Sequence, residues 1–139
     1  MIEYKLGYNK VNWDQMMELY RQVDGVIGLA NAGEIDIIKD SFKNSYKIVT
    51  AWDGDLLVGA GRMISDGYCY AWIHDIGVLP SYQKKGIGNG IMETLMDEKQ
   101  SLLFGLTSSF TGIEFYSKLG FKKHKTAMCK YPGESDYLE

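Results

Sequence analysis

The chain has 139 residues, 45% of them apolar, and a formal charge of -3 with a pI near 5.4. That is enough chain for one domain, 1–139, with a real core, and too acidic a balance for sequence-independent nucleic-acid binding, which needs a broad basic surface. The balance mildly favours cationic substrates. No run of ~18 apolar residues occurs and no basic-then-apolar leader opens the chain, so a soluble cytoplasmic protein without a membrane partner is expected. The two cysteines, Cys69 and Cys129, are far apart and fall in predicted strands. Free buried thiols are expected there, with no disulfide framework and no metal site.

Ile2 to Tyr8 alternates apolar and polar side chains as a first strand does. Asn12 and Gln15 have the spacing of a capping box for a helix through Trp13, Met16, Met17 and Tyr20. The glycine-rich stretch Asp24 to Gly33 reads equally as a substrate-facing loop or as a plain connector. Ile35, Ile38 and Phe42 recur at helical spacing in a second helix that ends near Asn44. Tyr46 to Trp52 and Leu56 to Ile64 form a hairpin about Asp53-Gly54-Asp55. Asp66-Gly67 then turns the chain into a strand over Tyr68 to Val78. An amphipathic helix follows over Gly86 to Lys99, with Ile87, Ile91, Leu95 and Met96 on one face. A short strand covers Ser101 to Thr107, and a helix opens at Thr111, runs through Tyr116 and ends at Gly120. Phe121 to Tyr131 reads as a last strand, and Pro132 to Glu139 as a frayed end.

The segment from Val78 to Gly90 joins an apolar strand to a helix through a basic, glycine-rich turn. A helix start offers unpaired N–H groups and the positive end of the helix dipole, so a phosphate settles there when no side chain blocks it. Gly86 and Gly88 remove blocking side chains, Lys84 and Lys85 add charge, Gln83 adds an uncharged donor, and Pro80 stops the strand. A pyrophosphate ligand is expected. The spacing G-x-G-x-G is not the Rossmann G-x-G-x-x-G, no carboxylate lies in Ser101 to Thr107 for a ribose, and no Gly-Lys-Ser/Thr completes a P-loop.

The pattern Val-x-Pro-x-Tyr-Gln-x-x-Gly-Ile-Gly resembles the acyl-CoA signature of the GNAT superfamily of N-acyltransferases. Ile113 to Phe121 is similar to that family's Phe-Tyr-x-x-x-Gly-Phe segment, and the order of elements from Ile2 to Tyr131 matches the family's order. The resemblance implies an α/β (α+β) GNAT fold, a mixed, mostly antiparallel central sheet flanked by helices. It also implies transfer of an acetyl group from acetyl-CoA to a primary amine of a small molecule or peptide, by direct attack through a tetrahedral intermediate.

On the same resemblance, Ile76, Gly77 and Val78 border the pantetheine arm where their strand splays, with the Val78 amide as oxyanion donor. Gln83, Lys84, Lys85, Gly86, Ile87, Gly88 and Asn89 hold the diphosphate. Ser109 stands where the family often has an Asn that contacts the arm; a serine still donates, with shorter reach. Tyr116 is the candidate proton donor to the departing thiolate. A base must also deprotonate the attacking amine, whose pKa lies near ~10. His74 titrates in a useful range and Asp75 is its neighbour. In a regular strand the two side chains face opposite sides of the sheet: Trp72, His74, Ile76 and Val78 share one face, and Ile73, Asp75 and Gly77 the other. The family's usual glutamates are absent at these positions, so a water chain is an alternative base. Trp13, Tyr20, Trp52 and Trp72 read either as core or as the lining of an apolar or cation-binding pocket. Homodimerisation is an expectation of family analogy alone. The competing functional readings are a non-catalytic acyl-CoA sensor or interaction module and a generic nucleotide-binding domain.

Overall fold

The computed structural model describes residues 1–23 and 34–139, and the candidate loop at 24–33 lies outside them. Five strands, β1 (Ile2–Leu6), β2 (Lys47–Asp53), β3 (Leu56–Ser65), β4 (Tyr70–Val78) and β5 (Leu103–Leu106), lie side by side in chain order. The first four are antiparallel, and β5 joins β4 in parallel after a helical crossover. The helices are α1 (Trp13–Arg21), α2 (Ile35–Lys43), α3 (Ile87–Met96) and α4 (Ile113–Lys118). The mixed, mostly antiparallel sheet flanked by helices is the expected architecture.

Side-chain alternation divides the sheet into two packed faces. On one, α3 buries Ile87, Ile91, Met92 and Leu95 against the sheet. Glycine at 59 permits that approach, because a Cβ there would stand 3.0 Å from Ile91 Cδ1. On the other face lie α1 and α2, whose fully buried Tyr20 and Phe42 have ring centroids 6.0 Å apart. Lys47 reaches from β2 to the far end of α3, where its ammonium donates to the carbonyls of Leu95 and Asp97 at 3.2 and 2.9 Å and pairs with Glu98. It thereby satisfies carbonyls that a helix C-terminus leaves without partners.

Several local expectations are corrected. Asn12 Oδ1 accepts from the amides of Asp14 and Gln15, but the Gln15 side chain does not close a capping box. It accepts from Leu57 N–H at 2.8 Å and donates to Asp55 O, and so ties α1 to the β2–β3 turn. Phe121 to Tyr131 forms no strand and leaves β5 as an edge, because these residues find no ladder partner among the described residues. Cys69 and Cys129 are therefore exposed rather than buried: one sits in the turn before β4 and the other in that irregular segment. The final residues are less frayed than expected, since Tyr137 stacks on Phe110 with centroids 4.5 Å apart.

Candidate active site

Pro80 ends β4's extension in a single 3-10 turn, Pro80–Tyr82, after which the backbone reverses hand twice. Lys84 has φ 62 and Gly86 φ 83, with Gly86 as N-cap of α3 and no side chain capping the helix. The first helical bond is Gly90 N–H to Gly86 O at 3.1 Å. Among the described residues, the amides of Lys84 through Asn89 have no hydrogen-bond acceptor. Six consecutive donors on a turn with left-handed kinks make an anion-binding concavity. A Cβ on Gly86 would meet nothing within 4 Å, so the space beside the turn at that position is open. A Cβ on Gly88 would stand 3.1 Å from Phe115, so that glycine instead lets α4 lie against α3. The Lys84 and Lys85 side chains are exposed at the rim, with Lys85 Nζ 5.5 Å from the Tyr82 ring centroid. Gln83 differs from expectation: its side-chain amide donates to Val78 O at 3.0 Å and braces the turn against β4.

Beside this cradle β4 and β5 part. Their pairing ends at Ile73↔Leu106, while β4 runs on to Val78. Leu79 N–H donates to Val58 O at 2.8 Å, and Val78 stands opposite Gly59. Antiparallel pairs alternate between bonded and non-bonded residues, so the Val78 amide points away from β3 into the gap left by β5. The Val78 carbonyl is taken by Gln83, which leaves the N–H as the group available there.

A bulge reverses part of the expected side-chain pattern. Arg62 pairs with His74 and Ala60 with Gly77, so Gly61 alone faces both Asp75 and Ile76. Asp75 takes φ 60, a left-handed conformation that Asp tolerates better than most residues. The extra residue puts His74 and Asp75 on the same face rather than opposite ones: Arg62, directly across from His74, donates from Nε to Asp75 Oδ2 at 2.7 Å. It also moves Ile76 and Val78 away from the face of Trp72 and His74. Gly77 now backs onto Tyr20, where a Cβ would be 3.0 Å from the ring.

His74 is half-buried, and its pKa is lowered by that burial first and by the Arg62 guanidinium second, with the Asp75 carboxylate opposing. The imidazole is therefore neutral at pH 7 and free to accept a proton. Tyr116, on α4, is pushed up to about 12 by burial, so its hydroxyl keeps its proton and acts as a donor. Its ring is edge-packed between Phe115 and Phe121. Ser109 Oγ lies 3.4 Å from Thr111 Oγ1 and lines a cleft of about 310 Å³ with Thr107, Cys129 and Tyr131.

The four aromatics considered as one pocket are dispersed. Tyr20 and Trp52 are core residues, Trp13 packs on Phe42, and Trp72 alone is open, at 39% exposure, on the His74 face. Arg62 is absent from the sequence reading, and Tyr20 enters it only as core or pocket lining, not as a partner of β4. An arginine inside the apolar run Leu56 to Ile64 was a legible signal, whereas Tyr20 is one more apolar position on its helix. Among the described residues no cluster of three or more His, Cys, Asp or Glu side chains could hold a metal ion, and no helix is long and apolar enough to cross a membrane.

Comparison with known proteins agrees with this fold. The family model of the GNAT acetyltransferase domain matches residues 44–123. A Staphylococcus aureus protein of unknown function, assigned as a probable acetyltransferase, is 26% identical with a TM-score of 0.75, over 95% of this chain and 100% of its own. A GNAT-family acetyltransferase from Streptococcus pneumoniae is 25% identical with a TM-score of 0.69, over 99% and 100% of the two chains. The glucosamine-6-phosphate N-acetyltransferase of Arabidopsis thaliana shares the fold at 18% identity and a TM-score of 0.59, over 94% and 99%.

Proposed function

Since the chain belongs to the GNAT acetyltransferase family, whose members use acyl-CoA donors, we propose that it moves an acetyl group from acetyl-CoA to the primary amine of a small molecule or peptide. The observation that carries this reading is the run of acceptor-free amides from Lys84 to Asn89, set beside the gap between β4 and β5. The donor supplies a thioester carbonyl as electrophile and a thiolate as leaving group.

This chain's residues do the rest. The Lys84 to Asn89 amides, with the Lys84 and Lys85 charges, bind the diphosphate; Gly86 keeps it close to the backbone, Gly88 seats α4 against the helix start and Ile87 roots that start in the core. Ser109 and the backbone of Ile76, Gly77 and Val78 flank the pantetheine arm, which enters the gap as an added strand would. The Val78 amide polarises the thioester oxygen as a single-donor oxyanion site. His74, neutral at pH 7 and on the Trp72 face, takes the amine proton directly or through a water. Asp75, engaged by Arg62, acts on His74 electrostatically rather than as the base itself. Tyr116, protonated throughout the working pH range, donates to the leaving thiolate, whose own pKa is near ~8.5 by analogy with cysteine.

The test is calorimetry with acetyl-CoA, followed by a thiol-release screen over aminoglycosides, polyamines, arylalkylamines, amino acids and peptide N-termini. Cofactor binding with thiol release on one amine class is the expected result. Tight binding with no release across the whole panel would leave a sensor of acyl-CoA in place of an enzyme.

A further inference from the structure

The bulge in β4 is held by a clamp that no part of the proposed chemistry has used. Tyr20, on α1 and fully buried, donates from its hydroxyl to the Asp75 carbonyl at 2.5 Å. A regular strand carbonyl lies in the plane of the sheet and bonds to the neighbouring strand. This one points out of the sheet toward α1. Because the peptide unit is planar and trans, a carbonyl fixed toward α1 fixes the Ile76 N–H on the opposite side. The Asp75 side chain is held from the same face by Arg62, whose Nη1 donates to Ser45 Oγ at 3.4 Å and whose guanidinium lies 5.7 Å from the Phe42 ring centroid. Phe42 in turn packs on the Tyr20 ring. The absence of a side chain at Gly77 gives that ring its place.

We infer that Tyr20 is a positioning residue for acyl transfer: by holding the Asp75 carbonyl, it keeps the bulge in place and with it the strand register that aims the Val78 amide into the gap where the acyl carbonyl must lie. The left-handed φ of Asp75 is unfavourable for a residue with a Cβ by about 1–2 kcal/mol, so without the hydroxyl bond the peptide between Asp75 and Ile76 is free to turn over. The strand then relaxes toward regular pairing and its amides swing out of register with the ligand. The cradle at Lys84 to Asn89 lies beyond Pro80 and has no bond to Tyr20. Diphosphate binding is therefore separable from recognition of the acyl group.

This inference rests on the acyl-CoA reading above, and the affinities of acetyl-CoA and free CoA, measured side by side by calorimetry, separate the two. The ligands differ only in the acetyl group that meets the bulge amides. Wild-type protein should hold acetyl-CoA more tightly than CoA. Tyr20→Phe, which keeps the ring, should lower that preference roughly 3–10-fold, the value of one hydrogen bond, by weakening acetyl-CoA more than CoA, whose arm runs along the same strand but which has no acetyl carbonyl to lose. Gly77→Ala, which crowds the ring and retains the hydroxyl, should act in the same direction, and it decides the matter if Tyr20→Phe does not fold. A folded variant with the wild-type preference intact, or an equal weakening of both ligands, would overturn the role of Tyr20 and leave the acyl-CoA reading standing. Wild-type protein that binds neither ligand would overturn both.

Discussion

Replacing Gly86 by alanine, with Gly120→Ala as its partner, separates the backbone demands of the cradle from its ligand. Both glycines have positive φ, 83 and 95, and at both an added Cβ would meet nothing within 4 Å. In each variant the folded chain bears the same penalty: a Cβ in the left-handed region, about 1–2 kcal/mol. A chain of this length unfolds with an entropy near 0.3 kcal/mol/K, so each midpoint should fall by about 3–7 °C. Calorimetry on CoA should then distinguish them. At Gly86 the new methyl occupies the space beside the turn and displaces the diphosphate from one or two charge-assisted bonds, each worth about 1.5–3 kcal/mol. Affinity should drop at least ~10-fold, and by up to ~10⁴-fold where two full bonds are lost. Gly120 closes α4 and borders no free donor, so its variant should bind CoA as the wild type does. Equal melting shifts with equal, unchanged CoA affinities would refute the placement of the diphosphate at Gly86.

Tyr116→Phe should lower turnover by about 10²-fold or more while acetyl-CoA affinity changes little, as steady-state kinetics and calorimetry together would reveal; a fall in affinity with turnover intact would contradict the donor role. The rate should decline on the acid side with a midpoint below 6.5, where His74 gains its proton, and His74→Gln should abolish that limb of the pH profile. The same shift makes folding pH-dependent. Because the folded pKa lies below the unfolded one, the unfolded chain takes up the proton first, and His74 subtracts stability as pH falls from about 6.5 through its folded pKa; urea titrations of wild type and His74→Gln should diverge only in that window. Lys47→Ala should cost about 3 kcal/mol in urea unfolding, since Lys47 and Glu98 are both largely buried, at 15% and 11% side-chain exposure, and the α3 carbonyls lose their cation. CoA affinity should be unaffected, because Lys47 stands at the end of α3 remote from the cradle.

The sequence by itself determined the features that repeat or that concern the backbone alone. Apolar patterning placed α2, α3 and β1 to β5, because burial of one face selects a period of 3.6 or 2 regardless of the partner, and start and stop signals placed α1 and α4. The cradle was legible because Pro80 and Gly86 act through local conformation, which needs no distant contact. Only the tertiary structure decided what depends on a neighbour far along the chain. The bulge at Asp75 exists because Tyr20, 55 residues away, takes a carbonyl that regular pairing would have used, and Arg62 takes the carboxylate. One extra residue in a strand inverts every later side chain, so the facing of His74, Asp75 and Ile76 could not follow from alternation. Phe121 to Tyr131 reads as a last strand after its helix yet forms none, because a strand also requires an edge that pairs with it, and that requirement is not written in the segment itself.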